Sequence, residues 1–217
     1  MVVNVFTRLK NLLRKCKREH WLKKLKKMNG NHDFCLITND CVGGVIYHDL
    51  GEQFRSPTIN LWISNDHFLE FAQNLKYYLS CEITETPDSS KKYPVGTIIP
   101  TDDRHIPIVL NFMHYKTFEE AHSKWKERSL RVDYNNLYFI WHFNGEGDIE
   151  KVKEFDRWNA KKLVILHNAN NDIASSGVVS CYNENPYNGK ILEVVERTGK
   201  RYLDEIDYIS FLNNSRA

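Results

Sequence analysis

The sequence predicts an α/β fold: a single three-layer domain with a mostly parallel sheet, preceded by a basic amphipathic N-terminal helix. Three observations carry this expectation. Short apolar runs alternate with stretches of helical periodicity, the pattern of strands joined by covering helices. Most of the runs at 34–38, 106–113 and 163–166 are continuously apolar, as strands buried on both faces are. The first 30 residues hold ten Lys or Arg against the single acid Glu19.

In chain order, residues 5–28 place Phe6, Leu9, Leu13 and Cys16 at helical spacing. Trp21, Leu25 and Met28 continue the pattern, cations fill the other positions, and Asn29-Gly30 ends it. Strands are expected at 34–38, 59–63, 106–113, 137–143 and 163–166, and helices at 42–50, 66–79, 118–130 and 149–158. Thr117 and Glu120 stand at capping-box spacing and fix where the third of these helices starts. Residues 84–104, rich in Thr, Pro, Ser and Lys, read as an excursion or loop, and 168–189 are also turn-rich. No internal repeat is present. The expected division is a helix at 1–30 and one α/β domain at 31–217, and 217 residues with 41% hydrophobic content suffice for one sizeable core.

The formal charge of +2 conceals a split, because the first 30 residues contribute +9 and the remainder −7. A basic arm of this kind suits an anionic surface, and the acidic body argues against nucleic acid as a partner. The five cysteines (Cys16, Cys35, Cys41, Cys81 and Cys181) show no paired or metal-ligand spacing, which points to reduced thiols and no metal site. Charges interrupt every apolar stretch near the start, so no secretory signal is read, and no run approaches the ~18 apolar residues of a membrane span. The expected location is cytoplasmic, peripheral to the inner face of the cell membrane through residues 5–28.

In open α/β sheets, ligands gather beyond the carboxyl ends of the strands. That rule selects the loops 39–44, 114–116, 144–148 and 167–171. The first, Asn39-Asp40-Cys41-Val42-Gly43-Gly44, enters a helix whose free N–H groups favour an anion. Two readings stand: Asn39, Asp40, Gly43 and Gly44 bind substrate, or Asn39 and Asp40 cap the helix while the glycines ease packing. Cys41 is either a nucleophile partnered by His114 or an inert, half-buried thiol. His114, the first polar residue after a buried strand, is the candidate general base, with a structural histidine as the alternative. Lys116 lies beside it. Lys124, Arg128 and Arg131 form a helical stripe suited to a diphosphate or acidic sugar, or else a solvated face paired with Glu120 and Glu127. Trp125, one step from the stripe, is either a sugar platform or core. No DxD triplet, Walker loop or hexapeptide repeat occurs, and no motif specifies a cofactor.

The same residues resemble a bacterial family known as domain of unknown function 1919, associated with exopolysaccharide and capsule biosynthesis. The likeness is carried by Ile37-Thr38-Asn39-Asp40-Cys41-Val42-Gly43-Gly44-Val45-Ile46-Tyr47 and by Ser56-Pro57-Thr58-Ile59-Asn60-Leu61. It continues through His114-Tyr115-Lys116-Thr117-Phe118-Glu119-Glu120-Ala121, Lys124-Trp125, Arg128 and Asp133-Tyr134-Asn135-Asn136-Leu137. It spans the chain from about residue 33 onward. Where family members carry Asn-Asn-Cys-Trp-Gly-Gly, this chain has Asp40 and Val42. The resemblance implies a role in building surface glycans. The leading expectation is a transferase acting on a nucleotide-activated or lipid-linked sugar, glycosyl transfer standing slightly ahead of O-acyl transfer. His114 is then the base, and the 39–44 loop with Lys124 and Arg128 the anion clamp. The alternative is a non-catalytic, membrane-recruited glycan-binding or scaffold protein.

Overall fold

A computed structural model of the chain describes residues 5–143, 148–167, 178–181, 190–195 and 198–214. The elements are α1 (Val5–Met28), β1 (Cys35–Thr38), α2 (Val42–Leu50), α3 (Asn65–Gln73), α4 (Leu75–Tyr78), β2 (Glu82–Glu85), β3 (Val95–Ile99) and β4 (Ile108–Asn111). They continue with α5 (Phe118–Ser129), β5 (Leu137–Phe143), α6 (Ile149–Arg157), β6 (Lys162–His167), β7 (Val178–Cys181) and α7 (Tyr208–Asn213). Four strands form a parallel sheet in the order β1-β5-β6-β7, and three form an antiparallel sheet in the order β2-β3-β4.

The parallel sheet is apolar on both faces, and strand alternation divides its side chains cleanly. Cys35, Ile37, Phe139, Trp141, Phe143, Val164 and Leu166 face a core completed by α3, α6, the antiparallel sheet and α5. Phe34, Leu36, Tyr138, Ile140, Leu163 and Ile165 face a second core built with α2, α7 and the end of α1. Continuous apolar runs in the sequence are thus two interleaved faces, each burying its own cluster.

Several expected elements are redrawn. The strand expected at 106–113 is β4, and it belongs to the antiparallel sheet. Its partners β2 and β3 lie largely inside the stretch read as an excursion. In β2 only Ile83 is buried and its neighbours are exposed, so one apolar residue in four gave no strand signal. The strand expected at 59–63 is instead a turn and an extended connector, in which Asn60 adopts a left-handed φ of 67°. The helix expected at 66–79 breaks at Asn74, whose side-chain amide bonds back to the Glu70 carbonyl at 3.2 Å. α5 starts where the cap pattern placed it: Thr117 Oγ1 accepts from Glu120 N at 3.2 Å. The Glu120 carboxylate, however, reaches back to Lys116 N, at 3.4 Å.

α1 divides in two. Leu25 is buried, Trp21 and Leu22 pack on the second core, and Trp21 is flanked by Lys24 and Lys200. Arg18 bonds Asp204 at 2.6 Å and also Asp49, which takes a further bond from Arg201 at 3.0 Å. Asp49 is only 1% exposed, so this network joins α1, α2 and the C-terminal segment through a buried carboxylate. Lys17 still packs against Gly199, but nearer the start of the helix Leu9, Leu12 and Leu13 are each more than half exposed. No helix among the described residues is long and apolar enough to cross a membrane.

A buried carboxylate shared by two guanidinium groups is costly to break from one side. Asp49→Ala should lower unfolding free energy by about 3 kcal/mol and reduce the melting temperature. Lys26→Ala, on the exposed side of the same helix, should stay within about 0.5 kcal/mol of the parent. Urea unfolding of both variants checks the contrast.

Candidate functional site

The loop after β1 is shaped by hydrogen bonds that begin in the strand. Asn39 Oδ1 accepts from His142 N and Asn39 Nδ2 donates to His142 O, both at 2.9 Å, so the side-chain amide adds one more rung between β1 and β5. Thr38 Oγ1 donates to the Asp40 carbonyl at 2.8 Å and accepts from Gly43 N at 3.3 Å. A Cβ on Gly43 would lie 2.7 Å from that hydroxyl, so any larger residue would push α2 off the strand. Asp40 uses one carboxylate oxygen to accept from Val42 N at 2.9 Å and the other to meet His142 Nδ1 at 2.5 Å. His142 is almost wholly buried. Cys41 follows, and its Sγ lies 3.2 Å from Nε2 of the exposed His114.

His114 reaches Cys41 because residues 56–63 run between the two sheets and bond to each. On one side Thr38 N donates to Thr58 Oγ1 at 3.2 Å and Ile63 N to Asn39 O at 2.8 Å. On the other side Trp62 and Asn111 exchange backbone bonds at 2.8 and 2.9 Å, and His114 N points to Asn60 O at 3.4 Å. Tyr115 OH and Arg128 Nη1 both donate to the Ile59 carbonyl at 3.2 Å, and Arg128 also donates to Tyr115 OH at 2.7 Å. The two loops therefore meet, but not for the reason first expected: β4 is antiparallel and in another sheet, and the connector supplies the juxtaposition.

The other sequence candidates fall into separate places. Asn39 and Gly43 are buried and committed to the backbone; they hold the loop and do not face a ligand. Asp40 occupies Val42 N and faces His142, which opposes the anion expected at that helix start. Gly44 N–H, in the first turn of α2, has no hydrogen-bond partner among the described residues, while Gly44 itself borders Ile59 and Asn60. The proposed clamp of Lys124 and Arg128 is not formed. Lys124 pairs with Glu127 on its own helix at 2.7 Å, and Arg128 is 7% exposed and turned inward. Arg131 also pairs with Glu127 and bonds the Phe54 carbonyl. Trp125 is core, its ring against Phe71. Lys116 is exposed and lines a cleft of about 540 Å³ together with Lys91, Lys92, Tyr93 and Glu119. The loops 144–148 and 167–171 lie largely outside the described residues.

Sequence reasoning missed His142. It sits in a run read only as a strand, and its one sequence signal is a polar side chain near the carboxyl end of an otherwise apolar segment. Its partner Asp40 is 102 residues away. Cys16, Cys35, Cys41 and Cys81 are free thiols, and no group of three or more ligating side chains able to hold a metal occurs among the described residues.

Burial, and then the charge of Asp40, push the Cys41 thiol up to about 11. The resting thiol is therefore neutral near pH 7. Because the thiolate grows as pH rises toward that value, iodoacetamide labelling of Cys41 should still be accelerating at pH 10. Asp40→Asn removes the second cause and should speed labelling at pH 8; peptide mapping of the alkylated cysteines measures both.

The family described as Domain of unknown function (DUF1919) matches residues 9–213. A protein of Haemophilus influenzae (strain ATCC 51907 / DSM 11121 / KW20 / Rd), named Uncharacterized protein, is 31% identical over 215 residues, covering 98% of this chain and 100% of the relative. The match begins inside α1, well before residue 33, where the resemblance carried by the sequence motifs starts. The docked half of that helix is thus part of the shared unit.

Proposed function

The chain belongs to the domain of unknown function DUF1919 family, and from that premise we propose that it is a transferase that modifies sugars during bacterial surface-polysaccharide assembly. The contact between Cys41 and His114 carries the reading. It joins a nucleophile and a base on an open surface, at the meeting point of two loops that other residues hold rigid. His114 takes the proton from the attacking group. A thiol at the base favours O-acyl over glycosyl transfer, since sulfur accepts and releases an acyl group readily. Lys116, two residues from His114, shares a cleft with Lys91 and Lys92 and with Glu85, Asp88 and Glu119, and the three lysines are the groups there suited to the phosphates of a nucleotide-activated or lipid-linked sugar. Helices over both faces of the parallel sheet support reading the domain as three layers.

Scanning fluorimetry against nucleotide-sugars, acyl-coenzyme A and divalent metals tests the substrate class. Stabilisation by an acyl donor or a nucleotide-sugar is expected, and silence across the panel would favour the non-catalytic scaffold. With a turnover assay in hand, His114→Ala should lower the rate by about 10² to 10⁴-fold while the melting temperature holds. A parallel fall in melting temperature and activity would instead mark His114 as structural.

The same reading places the protein on the inner face of the cell membrane through α1. Leu9, Leu12 and Leu13 are exposed on a helix whose neighbouring positions are cationic. Such a surface gains from shallow apolar insertion and from roughly 1 kcal/mol per cation near anionic lipid. In flotation assays the full chain should rise with anionic vesicles and stay behind with neutral ones. Replacing all three leucines by Asp should abolish flotation without unfolding the protein, because none of them belongs to either core. Equal recovery of parent and variant would refute the membrane role.

A further inference from the structure

Within the transferase reading, on which this step rests, we infer that Cys41 is a covalent nucleophile: it carries the transferred acyl group as a thioester, with His114 moving the proton in both half-reactions. The geometry supplies each part. Sγ and Nε2 are 3.2 Å apart, and in the tautomer that carries its proton on Nδ1 the imidazole accepts the thiol hydrogen. Cys41 occupies the cap position of α2, with φ −69° and ψ −8°. Of the three first-turn N–H groups behind it, Val42 donates to Asp40 and Gly43 to Thr38, which leaves Gly44 N–H for an acyl oxygen. A Cβ on Gly44 would meet Ile59 Cγ2 at 3.5 Å and Asn60 Oδ1 at 3.8 Å, so the helix start packs in ordinary contact with residues 59 and 60.

In the first half-reaction the thiol attacks the carbonyl of an activated ester or thioester, and its proton passes to His114 Nε2. The carbon–sulfur bond forms, the bond to the leaving group breaks, and the leaving group takes the proton from His114. In the second, a sugar hydroxyl attacks the thioester and gives its proton to His114. The carbon–sulfur bond breaks, and the departing sulfur regains that proton. No oxidant or further reactant is needed. Since Cys41 is held protonated at rest, generation of the nucleophile is coupled to His114, and an exposed cysteine without such a partner provides the internal standard.

The test exposes the full-length protein to 4-nitrophenyl acetate at neutral pH and follows each cysteine by intact mass and peptide mapping. One acetyl group should appear on Cys41 about 10-fold or more ahead of the exposed Cys16, and neutral hydroxylamine should remove it. His114→Ala should slow acetylation of Cys41 by about 10²-fold and leave Cys16 unchanged. His114→Gln, close in size to the imidazole, serves if the alanine variant is unstable. Acetylation of Cys41 no faster than Cys16, or a rate indifferent to both His114 variants, overturns the proposal. Transfer to a sugar acceptor that persists in Cys41→Ala overturns the covalent step and spares the transferase reading. Rapid His114-dependent acetylation in a protein that engages no sugar or nucleotide-sugar supports the covalent step and removes the sugar substrate class.

Discussion

Residues 56–63 bond to the parallel sheet through Thr38 and Asn39 and to the antiparallel sheet through Asn111. This connector is what converts two sheets into one site. Buried backbone groups must find partners, and here the partners of a single strand-like segment lie on opposite sides of it. Asn60 turns through a left-handed φ to present successive groups to each sheet, a conformation that asparagine tolerates better than most residues. Arg128 and Tyr115 then close on the Ile59 carbonyl, so the position of His114 is set by bonds from three directions.

That arrangement gives Arg128 a different meaning from the one its helical stripe suggested. A buried guanidinium must satisfy its donors, and a carbonyl and a phenol do so without a ligand. Its guanidinium lies over the Phe54 ring at 5.2 Å, adding a cation–π contact just ahead of the connector. A basic side chain expected to hold substrate therefore helps hold the segment beside His114. Asp40 is similarly reassigned. Its carboxylate is divided between a helix N–H and His142, and its charge beside Cys41 adds to burial in disfavouring ionisation of the thiol.

α1 shows how one periodic segment serves two environments. From Arg18 to Met28 it is bound into the domain by a core leucine, a tryptophan flanked by cations and a buried ionic network. Before Arg18 the same spacing continues in Leu9, Leu12 and Leu13, each more than half exposed among the described residues. The cationic positions extend along the whole helix, while the residues that enter the second core, Trp21, Leu22 and Leu25, lie in its second half.

What the sequence by itself determined is local. The bounds of α1, α2 and β5 follow from periodicity and neighbouring stop signals, and the cap of α5 from Thr117 and Glu120, because these signals act within one or two turns of chain. It also marked 39–44 and 114–116 as polar, glycine-containing or histidine-bearing breaks after apolar runs. Only the tertiary structure decided which of those residues act together. Cys41 and His114 are 73 residues apart and Asp40 and His142 are 102 apart. Their meeting depends on strand order and on how a connector satisfies its backbone between two sheets. β2 and β3 lie largely inside a polar, turn-rich stretch: β2 buries Ile83 alone, so its strand conformation depends on the hydrogen bonds it exchanges with β3 rather than on an apolar pattern of its own.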